Sequence, residues 1–177
     1  MGVCEGCQPE RDRSRGMPGA TQVRRMFIHG LESSGHGFKG RLLRGVYGDT
    51  LTPDFRGDLA ERMAQLEPML EGNVPWILVG SSFGGLMAAL AACQQPTRVH
   101  RLILLAPALH HPEFQTPGLV AVPTLVVHGT RDEVVPLGEV RTRAERSFTQ
   151  LTFRQVDDDH LLHATVQALD WHALLAA

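Results

Sequence analysis

The chain has 177 residues, 17 basic against 19 acidic side chains, a formal net charge of −2 and 43% apolar content. At roughly 100–200 residues per domain this is one domain, and the composition excludes disordered, collagen-like and fibrous classes. The near-balanced charge gives no global pull toward nucleic acid or acidic membrane surfaces, so the expected partner is a small molecule, with no nucleic acid and no membrane.

A single core of this size buries roughly 70% of the surface that the unfolded chain exposes, so neither a disulfide nor a metal is needed to hold it together. Three cysteines are an odd count. Cys4 and Cys7 stand in a polar start and Cys93 in an apolar helical stretch, which suits a reduced, cytoplasmic protein better than a disulfide scaffold.

From Met1 to Arg25 the chain is rich in Gly, Arg, Pro and acidic residues and lacks the apolar run of a signal peptide. Residues 1–22 are therefore expected to be a disordered tail, within which Cys4-Glu5-Gly6-Cys7 has no second ligand pair to make a metal site. Met1, Met17 and Met26 all stand as potential starts, since the ordered pattern begins only near Val23. Strands are then predicted at Arg25–His29, around Gly45–Asp49, at Trp76–Gly80, Val99–Ala106, Thr124–His128 and Leu151–Val156. Ile77-Leu78-Val79 and Leu102-Ile103-Leu104-Leu105 are continuous apolar runs, as in parallel strands covered on both faces. The last run alternates Leu151 and Phe153 with Thr152 and Arg154 and suits a half-exposed edge.

Between the strands the period becomes helical. Leu59, Met63, Leu66 and Leu70 share one helix face. Gly84 to Cys93 is apolar nearly all round, so that helix should be buried, with Pro96 ending it. Val140, Ala144 and Phe148 mark another helix, and Leu162, Val166, Leu169 and Ala173 mark a C-terminal one. Such alternation means a mostly parallel sheet with helices on both faces.

Gly80-Ser81-Ser82-Phe83-Gly84 fits G-x-S-x-G and follows a buried strand and precedes a small-residue helix, the setting in which a strained turn presents a serine hydroxyl. Ser82 is the expected nucleophile, and Ser81 is off the central position. A serine needs a base, and the base needs an orienting carboxylate. Asp132 follows the strand Thr124–His128, at the sheet end where open α/β folds keep their functional groups, with Glu133 as rival. Of nine histidines, His160 lies on a loop at that same edge, after Asp157-Asp158-Asp159, with His163 as its rival. The three aspartates are read as mostly solvated. Oxyanion donors are expected in the backbone N–H groups of Phe83, opening the helix after Ser82, and of Leu31, in the loop after the first strand.

With these residues in place the chain resembles the α/β-hydrolases, and among them the small, lidless esterases of the YqiA-like kind. The resemblance covers about Arg25 to Ala177 and is carried by His29-Gly30 with Ser33-Ser34, the elbow Gly80–Gly84, His128-Gly129-Thr130-Arg131-Asp132 with Val135-Pro136, and Asp159-His160. It implies nucleophile Ser82, acid Asp132, base His160 and oxyanion donors Leu31 and Phe83. It also implies one α/β-hydrolase domain over residues 23–177, built on a minimal sheet of about six strands. Larger relatives insert a helical cap, but only 13 residues, His110 to Val122, are available here, and they include Pro112, Pro117 and Gly118. No cap fits, and an open site is expected, with Leu31, Phe83, Leu109, Phe114 and Val134 as its apolar candidates.

The expected activity is hydrolysis of carboxylic esters, with thioesters as an extension, through an acyl-enzyme and without metal or organic cofactor. Acyl transfer, including from an acyl-CoA, peptide hydrolysis, and a non-catalytic binding protein on the same fold remain the alternatives. The arginines Arg141, Arg143 and Arg146 are interleaved with Glu139 and Glu145 and read as a solvated helix face.

Overall fold

A computed structural model describes residues 22–115 and 118–177. The predicted tail, its Cys4–Cys7 pair and Met17 lie outside the described residues, apart from Gln22. Five strands form one sheet: β1 (Arg24–Ile28), β2 (Trp76–Ser81), β3 (Val99–Leu105), β4 (Thr124–Gly129) and β5 (Leu151–Val156). All are parallel, and their order across the sheet is their order in the chain. Six helices accompany them: α1 (Phe38–Val46), α2 (Leu59–Leu66), α3 (Phe83–Gln94), α4 (Leu137–Ser147), α5 (His163–Ala168) and α6 (Trp171–Leu175).

The period of two along each strand divides the core into two layers. Met26, Ile28, Trp76, Leu78, Leu102, Leu104 and Val126 face a layer built by α2, α3 and α4. Phe27, Ile77, Val79, Ile103, Leu105 and Val127 face the opposite layer, where α1, α5 and α6 contribute Leu43, Val166, Trp171 and Leu175. Every residue of β2 is buried, whereas β5 alternates partly buried and exposed positions, as an edge strand does. In α3, burial pushes the Cys93 thiol up to about 11, which leaves it inert at neutral pH.

Two predicted elements differ. Around Gly45–Asp49 there is no strand: α1 runs to Val46, and the chain turns through Tyr47 to Thr50. Phe38, Leu42 and Val46 lie on one helical face against the second core layer, and this period overrides the local β-propensity of Val46-Tyr47. What remains of a sixth strand is Leu51 alone, which accepts from Phe27 N–H at 2.8 Å and donates to the Arg25 carbonyl at 2.9 Å. The C-terminal helix is two short ones, broken at Leu169-Asp170, where the Asp170 carboxylate accepts from Ala173 N–H and starts α6 afresh.

The Leu51 stub gives the sheet a switch point. The chain leaves β1, passes over α1 to Leu51 on one side of β1, then returns over α2 to β2 on the other side. Successive connections therefore diverge at the carboxyl ends of β1 and β2, and such divergence opens a crevice beyond those strand ends. Gly30 and Ser82 stand there.

Candidate active site

Ser82 sits between β2 and α3 with φ 54° and ψ −118°, a strained conformation for a residue with a side chain. The turn is tied down on every side. Ser82 N–H donates to the Leu105 carbonyl at 2.9 Å, and the Ser82 carbonyl accepts from Ala108, Gly85 and Leu86. Gly84 is obligatory in this packing, because a methyl group there would strike the carbonyl of Ile28 in β1. The same close approach brings the loop after β1 to the serine: a methyl on Gly30 would stand 3.3 Å from Ser82 Cβ.

His160 and Asp132 come from loops at the same sheet edge. His160 Nε2 lies 3.0 Å from Ser82 Oγ, and His160 Nδ1 lies 2.8 Å from Asp132 Oδ2. A carboxylate only accepts, so Nδ1–H donates to Asp132, and Nε2 is left to accept from the serine hydroxyl. The other Asp132 oxygen accepts from Val134 and Val135 N–H, each at 2.9 Å. Burial alone would raise the Asp132 carboxyl, but the hydrogen bonds from His160, Val135 and Val134 outweigh it and hold the group below the usual carboxylate range. The fully buried His128 adds to this set. Its Nε2 stands 3.1 Å from the Val135 carbonyl and 3.2 Å from Asp132 Oδ2, and burial pulls its pKa down.

The loops that carry Asp132 and His160 are zipped together. Thr130 N–H donates to Val156 and Arg131 N–H to Asp158, and a methyl on Gly129 would strike the Asp158 carbonyl. Asp157 is exposed and pairs with Arg131 at 2.8 Å. Asp158 departs from the solvated reading: it is buried and accepts from Thr165 N–H at 3.0 Å and Thr165 Oγ1–H at 2.8 Å, binding α5 to the loop. Burial would raise its pKa, yet these bonds and that from Asp159 N–H lower it. Asp159 accepts from Leu161 N–H, which curls the chain tightly after His160.

The remaining candidates divide. Phe83 N–H heads α3, where no intrahelical carbonyl faces it. Among the described residues no backbone carbonyl accepts the Leu31 N–H. The Leu31 and Val134 side chains are 55% and 65% exposed at the mouth of the site. Leu109 and Phe114, expected to line it, are instead core residues, 0% and 4% exposed, and offer no wall to a ligand. Phe114 is drawn in because Arg143 Nη1 donates to the carbonyls of Phe114 and His111, so Arg143 is a structural clip on the 110–115 loop rather than a solvated cation. Ser81 is buried, Glu133 is exposed, and His163 is exposed with its ring 4.7 Å from Phe38; none of them enters the Ser82–His160–Asp132 chain.

Arg62 was hidden from the motif-based reading. It lies on the apolar face of α2, with Leu59, Met63 and Leu66, and is only 5% exposed. A cation at a helical-period apolar position was the available signal. It borders a cavity of about 390 Å³ next to the serine turn, walled also by His29, Leu31, Asp54, Phe55 and Arg56. Among the described residues no group of three or more His, Cys, Asp or Glu side chains is arranged to hold a metal ion. No helix among them is long and apolar enough to cross a membrane.

The sequence profile of the family described as serine aminopeptidase, S33, matches residues 26–119, more than half of the chain. The chain belongs to this family of α/β-hydrolases. The matched span holds Gly30, Leu31 and the Ser82 turn, whereas Asp132 and His160 lie beyond it. The hydrolase is similar in structure to a putative α/β-superfamily hydrolase from Xanthomonas campestris pv. campestris, with 26% identity, a TM-score of 0.71, and coverage of 87% of this chain and 96% of that one. It shares its fold with a serine hydrolase homologue from Coxiella burnetii, at 21% identity and a TM-score of 0.68 over 89% of this chain and 86% of that one. It shares it too with Est1E from Butyrivibrio proteoclasticus, solved with ferulic acid bound, at 17% identity and a TM-score of 0.66 over 86% of each chain. A search of curated protein sequences gave no match. The five-stranded parallel sheet, with no cap among the described residues, is thus an α/β-hydrolase fold.

Proposed function

We propose that the protein is a serine esterase that cleaves carboxylic esters through an acyl-enzyme. The observation that carries this reading is the continuous chain from Ser82 Oγ to His160 Nε2 at 3.0 Å and from His160 Nδ1 to Asp132 Oδ2 at 2.8 Å. Ser82 attacks the acyl carbonyl as His160 takes its proton, and the N–H groups of Phe83 and Leu31 receive the negative charge that develops on the carbonyl oxygen. His160 returns the proton to the leaving alcohol, and water repeats the sequence in the second half-reaction. Asp132, supplied with donors on both oxygens, stays ionised and stabilises the imidazolium between those steps.

Labelling with a fluorophosphonate tests the nucleophile. Wild-type protein is expected to take the label and Ser82→Ala to refuse it, and folded wild-type protein that stays unlabelled would overturn the assignment. The family description names an aminopeptidase, which favours a second reading in which the same triad cleaves peptides. A panel of ester, thioester and amino-acid anilide substrates separates the two, with esters expected to be turned over fastest. Protein that takes the label and, in its unmodified form, prefers anilides would give the peptidase reading the precedence.

A further inference from the structure

Arg62 is a charged side chain with an unmet demand. Its Nε–H donates to the Gly57 carbonyl at 3.0 Å, and its guanidinium carbon stands 5.5 Å from the centre of the Phe83 ring. Its Nη1 is buried and has no hydrogen-bond partner, and Arg62 forms no ion pair among the described residues. A buried cation without a counter-charge is costly, and natural proteins pair such groups. This one borders a cavity that Leu31 also lines, and Gly30, next to Leu31 in the chain, lies against Ser82.

Of the other polar groups that line the cavity, His29 and Asp54 are already engaged, and Ser33 and Ser34 add two neutral hydroxyls. His29 Nε2 accepts from Phe55 N–H at 2.9 Å, and its Nδ1 bonds the Gly30 carbonyl at 2.6 Å. Asp54 Oδ1 accepts from Gly35 N–H at 2.6 Å. Arg56 is exposed at the rim and adds a second positive charge, so two cations face one carboxylate and the cavity carries an excess of one positive charge.

We propose that this cavity is a subsite for a carboxylate on the substrate, held by Arg62. A guanidinium fork matches a carboxylate in shape and charge, and the Asp54 carboxylate alongside disfavours a dianionic phosphate. The preferred substrates are then esters carrying a second, ionised carboxyl group, on either the acyl or the alcohol portion. The proposal deepens the esterase reading and rests on Ser82 being the nucleophile.

The test uses the purified full chain, one portion labelled with a fluorophosphonate and the unmodified remainder kept for kinetics. Folded protein that refuses the label overturns the serine reading, whereas protein that takes the label but whose unmodified portion ignores the carboxylate overturns the subsite alone. Two matched pairs of esters supply the measurement: phenyl hydrogen glutarate against the phenyl ester of glutaramic acid, and 4-carboxyphenyl butanoate against 4-carbamoylphenyl butanoate. Each is normalised to its alkaline hydrolysis rate. In one pair kcat/KM should favour the carboxylate by about tenfold or more, the effect of one charge-assisted hydrogen-bond pair. Arg62→Met should bring that ratio near one, and Arg62→Lys should restore part of it. Ratios near one in both pairs for the wild type, or a ratio unchanged in Arg62→Met, would overturn the proposal. The wild-type ratios decide the matter even if the Met variant does not fold.

Discussion

Asp132 is the residue whose surroundings say most about its work. Its carboxylate receives N–H groups from Val134, Val135 and His160, and His128 stands 3.2 Å away, so every position around it is a donor's. Asp132→Asn keeps the size but replaces one acceptor with an NH₂ group, which then faces donors and turns His160 toward the wrong tautomer. The expected result is a fall in kcat of roughly 10⁴-fold with KM little changed, read from steady-state ester hydrolysis. Asp158 makes a different prediction. Its folded pKa is depressed, so its contribution to stability is complete above the ordinary carboxylate value near about 4 and is lost as pH falls through the lower, folded value. Asp158→Asn should lower Tm at pH 7 and flatten the acid side of the Tm–pH curve; a variant whose acid limb matches the wild type would contradict it.

At this scale the sequence was readable where chemistry demands a motif. Ser82, Asp132 and His160 each stand just beyond a strand end, in an order and spacing that leave few rivals, and the structure brings these three together. Leu109 and Phe114 were misjudged because hydrophobicity alone does not tell a pocket wall from a core residue. For Phe114 the outcome depends on the distant Arg143 clip. Asp158 was read as solvated for a similar reason, since its partner Thr165 lies in an element whose approach depends on the whole loop.

Among the elements, the buried strands announced themselves as apolar runs, and the observed ends of β2 to β5 differ from the sequence reading by at most one residue. The segment Gly45–Asp49 failed because a short β-rich stretch at the end of an amphipathic helix follows the helix when the helix face is buried. The break at Leu169-Asp170 was missed because the apolar period runs through it unbroken, while the Asp170 cap starts a separate helix at Trp171. The junction of α3 with β1 gives the prediction proper to this scale. Gly84→Ala sets a methyl against the backbone of Ile28 and His29, which cannot yield as a flexible side chain would. Overpacking of this kind costs about 1–3 kcal/mol, or roughly 2–12 °C in Tm for a chain of this size. Thermal unfolding measured beside fluorophosphonate labelling should show both falling, since the displaced helix carries Phe83 and the serine turn with it.

The whole molecule is an economy of connections. Between β3 and β4 the described residues from His110 to Val122 contain no helix, and the Arg143 clip holds the start of that segment against α4. Among the described residues no capping element therefore stands over Ser82, and Leu31 and Val134 lie exposed. An enzyme with a lid gains activity when an oil surface draws the lid aside, whereas one without it has nothing to open. Hydrolysis of tributyrin by this protein should therefore follow simple saturation as its concentration crosses the solubility limit, with no upward break when droplets form. Initial rates measured on both sides of that limit, with and without a dispersing detergent, check this directly. A several-fold jump at the limit would contradict an open site.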